Sequence, residues 1–389
     1  MIHVGIYVQV PFCQTKCTYC NFHTSVVSAA RFAPYVNAVC AEIRQHRALY
    51  ESRGVSLPAC FADAVVDTVY LGGGTPSLLD PEHLLGMLDA IRESFRNALS
   101  EVTLEADPET VEATKAAAWV RAGINRVSFG VQSFSDLELK ASGRMHRRED
   151  VYRAAALLQD VGIANISFDL IAGLPHQTRE SWQQSLDELA ALAPDHVSVY
   201  LLEVDEGSRL GKELLRGGER YHAGVVPDED TMAEFYGTAC DELSKAGYHH
   251  YEISNWARPG FESHHNLKYW RREPYLGFGA GAHSFSGAER WANVHDAAAY
   301  VSALSARRLP IEQHELVTSQ SALEEELFLG LRQLDGIDVE RIEKQYGVDL
   351  GRRFEALQSA DLIERSGSTV RLAPGRLSVS NEVFVELIR

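Results

Sequence analysis

The sequence lacks long apolar runs and an excess of positive charge, and each absence argues against a class of protein. No hydrophobic stretch approaches the roughly 18 residues that a membrane-spanning helix needs, so we expect a soluble protein. Acidic residues outnumber basic ones by 54 to 37, and the formal charge of -17 disfavours binding to nucleic acid, because phosphate contacts need a basic surface. The opening MIHVGIYVQV has no feature of a secretory signal, which predicts a cytoplasmic protein.

Cysteine is also scarce, with six residues in 389, yet three of them crowd into the segment PFCQTKCTYCNFH at residues 11–23. Cys13, Cys17 and Cys20 form a C-x3-C-x2-C pattern. In a reducing compartment such cysteines are more often ligands than disulfide partners. Three thiolates do not saturate a zinc ion, but they leave one iron of a four-iron cubane free for a small ligand. A zinc site completed by His23 is the alternative.

Short runs rich in Val, Ile and Tyr alternate with longer segments of helical period, which is typical of parallel βα units. The six predicted strands are GIYVQV from Gly5, AVVDTVYL from Ala64, EVTLEA from Glu101, RVSFGV from Arg126, NISFDLI from Asn165 and HVSVYLL from His196. Polar or glycine-rich residues follow each strand, and in a barrel such ends share one mouth. Six units are too few to close the usual eight, so the sequence predicts an α/β fold with a partial, TIM-like (β/α)6 barrel.

The pattern changes after the sixth strand, and we divide the chain into three parts. Residues 1–215 are the predicted barrel core, and residues 216–315 are an extension that contains the segment HNLKYW. Residues 316–389 show three helical segments and the alternating stretch IERSGSTVRLAPGRLSVSN, which predicts a C-terminal winged-helix-like domain. This part is acidic too, so we interpret it as a cover or docking domain.

Several segments together resemble the radical S-adenosylmethionine superfamily, and within it the family of oxygen-independent coproporphyrinogen III oxidases (HemN). They are GIYVQVPFCQTKCTYCNF, YLGGGTPSLL, FGVQSF, FDLIAGLP and LAPGRLSVSN, and the resemblance covers essentially the whole chain. It implies a [4Fe-4S] cluster on Cys13, Cys17 and Cys20, whose free iron takes S-adenosylmethionine. The residues that it implies for that cofactor are Tyr7, Tyr19, Phe22, Gly73, Gly74, Thr75, Glu105, Gln132, Arg144 and Asp169. No catalytic residue is assigned.

Two departures separate this chain from the oxidases themselves. Phe22 stands where those enzymes carry a fourth cysteine, and the first strand begins almost at once, without their N-terminal arm. HNLKYW, at residues 265–270, resembles the H-N-x-x-Y-W signature of a group of heme chaperones in the same family. The resemblance therefore implies heme as a further ligand, respiratory or storage hemoproteins as acceptors, and a possible homodimer.

The heme candidates are His265, His264, Tyr269 and Trp270, because imidazole is a good axial ligand and aromatic rings offer flat apolar surface to a porphyrin. A core histidine in an aromatic segment is the plainer interpretation. Three other functions remain open beside the chaperone. They are coproporphyrinogen III oxidation, another HemN-like radical reaction such as heme breakdown, and a structural zinc-binding role.

Overall fold

Six parallel strands form the centre of the protein, in a computed structural model that describes residues 2–52 and 58–388. They are β1 (His3–Val10), β2 (Val65–Gly73), β3 (Arg96–Ala106), β4 (Arg126–Gln132), β5 (Asn165–Ala172) and β6 (His196–Leu201). Each strand pairs with the next in chain order, so their carboxyl ends lie along one edge. The predicted strands and the partial-barrel fold are confirmed.

Helices connect these strands and cover the sheet. They are α1 (Phe32–Ser52), α2 (Pro81–Ser94), α3 (Ala113–Ala122), α4 (Asp136–Ala141), α5 (Arg148–Asp160) and α6 (Arg179–Leu192). Leu84, Leu88 and Ile91 of α2 are buried, since helical spacing places them on one face. The sequence Asp-Pro-Glu at residues 107–109 is typical of a helix start, but α3 begins only at Ala113, because Pro108–Thr110 form one 3-10 turn and the residues after it are extended.

The region after β6 extends the sheet at both edges. It contains α7 (Arg209–Leu215), α8 (Glu229–Lys245), β7 (His249–Glu252), β8 (Asn255–Ala257), α9 (His264–Trp270), β9 (Tyr275–Phe278), β10 (His283–Phe285), β11 (Glu289–Asn293), α10 (Ala297–Ser305) and β12 (Ile311–Leu316). β8 and β7 follow β6, whereas β9 pairs in parallel with β1 and leads to β10, β11 and β12. The predicted boundaries at residues 215 and 315 remain predictions.

The C-terminal part has the helix, strand, helix, helix and hairpin order of a winged helix. Its elements are α11 (Ser319–Gly330), β13 (Ile337–Asp338), α12 (Val339–Tyr346), α13 (Gly351–Ser359), β14 (Ile363–Ser366), β15 (Thr369–Leu372) and α14 (Ser380–Ile388). The hairpin ends at Leu372, not at residue 381 as the alternating pattern suggested. Val383, Phe384 and Leu387 instead form the buried face of α14, which packs on α11.

Candidate functional site

A pocket of about 160 Å³ opens at the carboxyl ends of the parallel strands. The three cysteines line it together with most of the residues that the sequence assigned to S-adenosylmethionine. Those residues are Tyr19, Phe22, Gly73, Gly74, Thr75, Glu105, Gln132, Arg144 and Asp169. Tyr7 is the exception: its hydroxyl donates to Oε1 of Gln9 at 2.7 Å, and it does not line the pocket.

Backbone hydrogen bonds hold the cysteine loop on the barrel. The N–H of Cys13 donates to the carbonyl of Ser25 at 3.1 Å, and that of Thr18 donates to the carbonyl of Ser142 at 3.0 Å. Within residues 2–52 and 58–388, no three His, Cys, Asp or Glu side chains converge on a position for one metal ion. In a cubane each cysteine binds a different iron, so three thiols lining one pocket fit a cluster without such convergence.

The glycine-rich segment packs so closely on its neighbours that there is no room for a side chain at Gly73 or Gly74. Gly73 has a φ of 108°, which disfavours every residue with a side chain, and a Cβ there would overlap the side chain of Gln9. A Cβ on Gly74 would overlap the carbonyl of Phe12, beside the cysteine loop. The two glycines thus bring main-chain polar groups against the space beside the cysteines.

Glu105 is anchored to the wall of this pocket. Its Oε2 accepts a hydrogen bond from the backbone N–H of Gly73 at 2.8 Å, and its Oε1 accepts one from the hydroxyl of Tyr70 at 3.0 Å. Loss of water around the carboxyl raises the pKa of Glu105 to about 7. Burial likewise raises the pKa of Asp169 to about 6, against hydrogen bonds from Ser198 and Ser128 that lower it. Two acidic groups are therefore positioned for a cationic or hydroxylated ligand.

Arg144 joins the acidic side of the pocket to the cysteine loop. Its guanidinium donates to Oδ1 of Asp107, to the carbonyl of Gly130 at 2.6 Å, and to Sγ of Cys17 at 3.6 Å. The guanidinium therefore contacts a carboxylate, a backbone carbonyl and a cysteine of the loop at once. Sequence reasoning missed Asp107, which also accepts from Thr75 Oγ1 at 3.2 Å. The Asp-Pro-Glu pattern concealed it, because it reads as a helix start.

Three further pocket residues are distinctive, Gln132 for its backbone conformation and Phe22 and Met145 for their exposure. Gln132 has a φ of 66°, a left-handed conformation that residues other than glycine seldom adopt. Such strain persists where the surroundings hold the residue in place, and it clusters at functional sites. Phe22 is 66% exposed at the rim of the pocket, and Met145 is 56% exposed there. The position that the resemblance aligns with a fourth cysteine thus carries an exposed apolar ring in this chain.

The HNLKYW segment lies at the other end of the barrel. It forms α9, which packs near the amino ends of the strands: the Lys268 ammonium pairs with Asp67 at 3.0 Å, and a Cβ on Gly5 would touch the side chains of Lys268 and His265. The two arginines that follow the segment also have partners: Arg272 pairs with Glu325, and Arg271 donates a hydrogen bond to Gln333. The structure does not bring this segment to the cysteine pocket.

His265 is enclosed, whereas His264 is exposed. The two ring nitrogens of His265 lie 2.9 Å from Oγ1 of Thr68 and 2.9 Å from the hydroxyl of Tyr269. Burial lowers the pKa of His265 to about 3, and the nearby Lys268 contributes to the same shift by a smaller amount. The ring is therefore neutral. A heme iron could bind a ring nitrogen of His265 only if the contact of that nitrogen with Thr68 or Tyr269 were broken. The ring of Trp270 is also in contact with a neighbour, because the Arg332 guanidinium lies 4.6 Å from its centre.

The comparisons with known proteins support the fold and decide the family. The Radical SAM superfamily model matches residues 7–189, and the HemN C-terminal domain model matches residues 317–375. The heme chaperone HemW of Bacillus subtilis (strain 168) is 35% identical over 384 residues, which cover 97% of each chain. The chain belongs to the HemW family. The heme chaperone HemW of Escherichia coli (strain K12) is 35% identical over 72% of this chain and 69% of its own.

A solved structure of the same architecture is that of the coproporphyrinogen III oxidase HemN from Escherichia coli, described as a radical SAM enzyme. It superposes with a TM-score of 0.84 over 99% of this chain and 90% of its own, at 22% identity. The likeness shows the shared fold. Membership of the HemW family rests on the sequence matches, which extend through both the barrel and the C-terminal domain.

Proposed function

We propose that the protein is a heme chaperone that binds heme and delivers it to hemoproteins. The observation that carries the proposal is the 35% identity to a heme chaperone HemW over 97% of both chains. Phe22 supports the proposal, because this chain has a phenylalanine where the resemblance to the oxidases implies a fourth cysteine. Acceptors of the respiratory or storage class, a cytoplasmic location and a homodimer belong to the same proposal. In the described residues, no helix has both the length and the apolar character needed to cross a bilayer.

The pocket at the carboxyl ends would hold a [4Fe-4S] cluster and S-adenosylmethionine. Cys13, Cys17 and Cys20 would bind the cluster, which supplies one-electron chemistry and an open iron when present. The backbone of Gly73 and Gly74 and the carboxyl of Glu105 suit the ammonium group of the cofactor. Asp169 and Gln132 suit its hydroxyl groups, and the Arg144 guanidinium suits its carboxylate.

A HemN-like radical reaction is the second candidate function, because the pocket retains this full set of polar groups. One experiment separates the two functions. The cluster-reconstituted protein is titrated anaerobically with heme, and the porphyrin spectrum is followed before and after addition of S-adenosylmethionine and a reductant. The chaperone gives saturable binding that survives the additions and no turnover of coproporphyrinogen III. Turnover, or a spectrum that bleaches only with the cofactor, overturns the proposal.

A further inference from the structure

Arg126 is a fully buried arginine inside the barrel. It is the first residue of β4, and only 1% of its surface is exposed. In the described part of the chain Arg126 forms no ion pair, and its Nε has no hydrogen-bond partner. Arginine keeps its charge in a protein, and an unpaired buried charge costs folding free energy. The barrel therefore retains this cation for a reason other than a local ion pair.

Arg126 lies below the floor of the pocket proposed for S-adenosylmethionine. Residues two positions apart on a strand point to the same face and are about 7 Å apart. Arg126 therefore shares the inner face of β4 with Ser128, which lines the pocket. The hydroxyl of Ser128 lies 3.4 Å from each carboxylate oxygen of Asp169, on the neighbouring strand β5. The cation is thus one layer deeper in the barrel than a carboxyl of the pocket.

The charge of Arg126 acts on Asp169. Burial raises the pKa of Asp169 to about 6, whereas the hydrogen bond from Ser198 and, after it, the charge of Arg126 lower that pKa. The titratable and charged groups that interact with Asp169 are Arg126, Arg144, Glu105, Tyr70 and Tyr200. Arg144 already pairs with Asp107. Arg126 is therefore the cation near Asp169 whose charge is not shared with an ion-pair partner.

The other titratable neighbours of Arg126 do not neutralise it. They are His196, His265, Tyr70 and Tyr251. Burial lowers the pKa of both histidines and raises that of both tyrosines, so all four are neutral near pH 7. Glu101 shares the neighbour Tyr251 with Arg126, but its carboxylate accepts the backbone N–H groups of His264 and His265 at 2.8 and 3.1 Å. The positive charge is therefore available to Asp169.

We infer that Arg126 is a positioning residue for S-adenosylmethionine, because its charge keeps the carboxyl of Asp169 ionised at the floor of the pocket. The inference rests on the proposed function, in which Asp169 accepts hydroxyl groups of the cofactor. An ionised carboxyl accepts hydrogen bonds with both oxygens, whereas a protonated one loses part of that capacity. Arg126 thereby sets the lower limit of the pH range in which the pocket binds the cofactor.

The first test needs no S-adenosylmethionine. The infrared band of the protonated Asp169 carboxyl is followed against pH in the full-length, cluster-reconstituted protein, and the spectrum of Asp169→Asn is subtracted to isolate it. Arg126→Met removes the charge but keeps a side chain of similar length, so the midpoint of the titration should rise by about one pH unit or more. Arg126→Lys is the matched control, because it keeps the charge and should titrate near the parent midpoint.

The second test measures the Kd of S-adenosylmethionine by anaerobic calorimetry at several pH values from mildly acidic to mildly basic. With each protein referred to its own affinity at the basic end, Arg126→Met should lose about two- to tenfold more affinity than the parent at neutral pH, as a shift of about one to two pH units predicts. In an Asp169→Asn background the same substitution should leave the pH profile unchanged, because the titrating carboxyl is absent. Iron and acid-labile sulfide, measured for every variant, show whether the cluster is intact.

The outcomes separate the inference from the proposed function. A shifted infrared midpoint and a shifted binding profile in Arg126→Met, both restored by lysine, support the inference. An unshifted midpoint and profile overturn it while the cofactor pocket stands. A lower free energy of unfolding without either shift would give Arg126 a structural role and would equally overturn it. Failure of the parent protein to bind S-adenosylmethionine would overturn the cofactor pocket itself.

Discussion

The hydroxyl of Tyr70 donates a hydrogen bond to Glu105 at 3.0 Å, and the ring of Tyr70 lies 5.3 Å from that of His265. This contact connects α9, at the amino ends of the strands, to the acidic residue that lines the cysteine pocket. His265 acts here as a packed and hydrogen-bonded support below the pocket. The HNLKYW segment therefore contacts, through Tyr70, the pocket proposed for S-adenosylmethionine. This contact is independent of any role of the segment in heme binding.

Tyr70→Phe should weaken the binding of S-adenosylmethionine, because Glu105 loses one of the two hydrogen bonds that orient it. We expect the Kd to rise about fivefold, since one such hydrogen bond contributes about 1 kcal/mol. Isothermal titration of the reconstituted protein measures it. The matched control is Tyr269→Phe, which removes a hydroxyl from His265 without touching Glu105. Equal losses in both variants would contradict the positioning role of Tyr70.

Gly73→Ala should abolish cofactor binding. The unfavourable backbone conformation, with a φ of 108°, is only one of the reasons. The new methyl group overlaps Gln9, and the displaced N–H no longer reaches Glu105. Gly162→Ala is the control, because Gly162 also has a positive φ, of 90°, but faces open space. That variant should lose only about 1–2 kcal/mol of unfolding free energy. Cofactor binding that survives in Gly73→Ala would place the cofactor elsewhere.

Cys20→Ser should leave the protein folded but largely without its cluster. Three thiolates are the minimum that holds a cubane with one free iron, so iron and acid-labile sulfide after anaerobic reconstitution should fall to a small fraction of the parent values. Cys60→Ser is the control, because the Cys60 thiol contacts the carbonyl of Ser286 away from the pocket. Full iron content in Cys20→Ser would mean that Cys20 is not a ligand.

Glu42 should make the stability of the fold depend on pH. Its carboxyl is buried among Tyr300, Asn293 and the N–H of Gly279, and burial raises its pKa from 4.5 to about 7. A carboxyl whose folded-state pKa exceeds its unfolded value contributes stability that is complete below the unfolded value and is lost as pH rises through the folded one. The upper bound is roughly 3 kcal/mol.

Denaturant unfolding of the parent and of Glu42→Gln between pH 5 and pH 8 measures this effect. The advantage of the parent over the variant should be greatest near pH 5 and should shrink as the pH rises. Taking the difference between the two proteins removes the contributions of Glu105 and Asp169, which titrate in the same range. A difference that is constant over the whole range would show that Glu42 stays ionised in the folded protein.

The sequence predicted the parts of the site that depend on local pattern. Alternating apolar runs located the six strands, and the cysteines, GGGTP, Glu105 and Asp169 then fell at strand ends that a parallel barrel brings together. The family resemblance also implied Tyr7, but its hydroxyl donates to Gln9 and it does not line the pocket. Strand position predicts the end of the barrel, whereas the direction of a side chain depends on its neighbours.

What the sequence did not reveal depends on contacts between distant segments. Asp107 meets Arg144 only because the end of β3 and the turn after α4 lie at the same pocket. The ring centres of His23 and His295 lie 4.2 Å apart, although no sequence motif connects these two residues. The HNLKYW segment shows the converse: its residues suggested a ligand set, yet packing against Thr68 and Asp67 leaves it outside the cysteine pocket.

The most direct test of the account is transfer of heme. The reconstituted protein is loaded with heme anaerobically, freed of unbound heme and mixed with an apo-hemoprotein, and the spectra of donor and acceptor are followed after separation. The account predicts stoichiometric loading, movement of intact heme to the acceptor and no decarboxylation of coproporphyrinogen III. Heme that is never bound saturably, or porphyrinogen that is turned over, would contradict it.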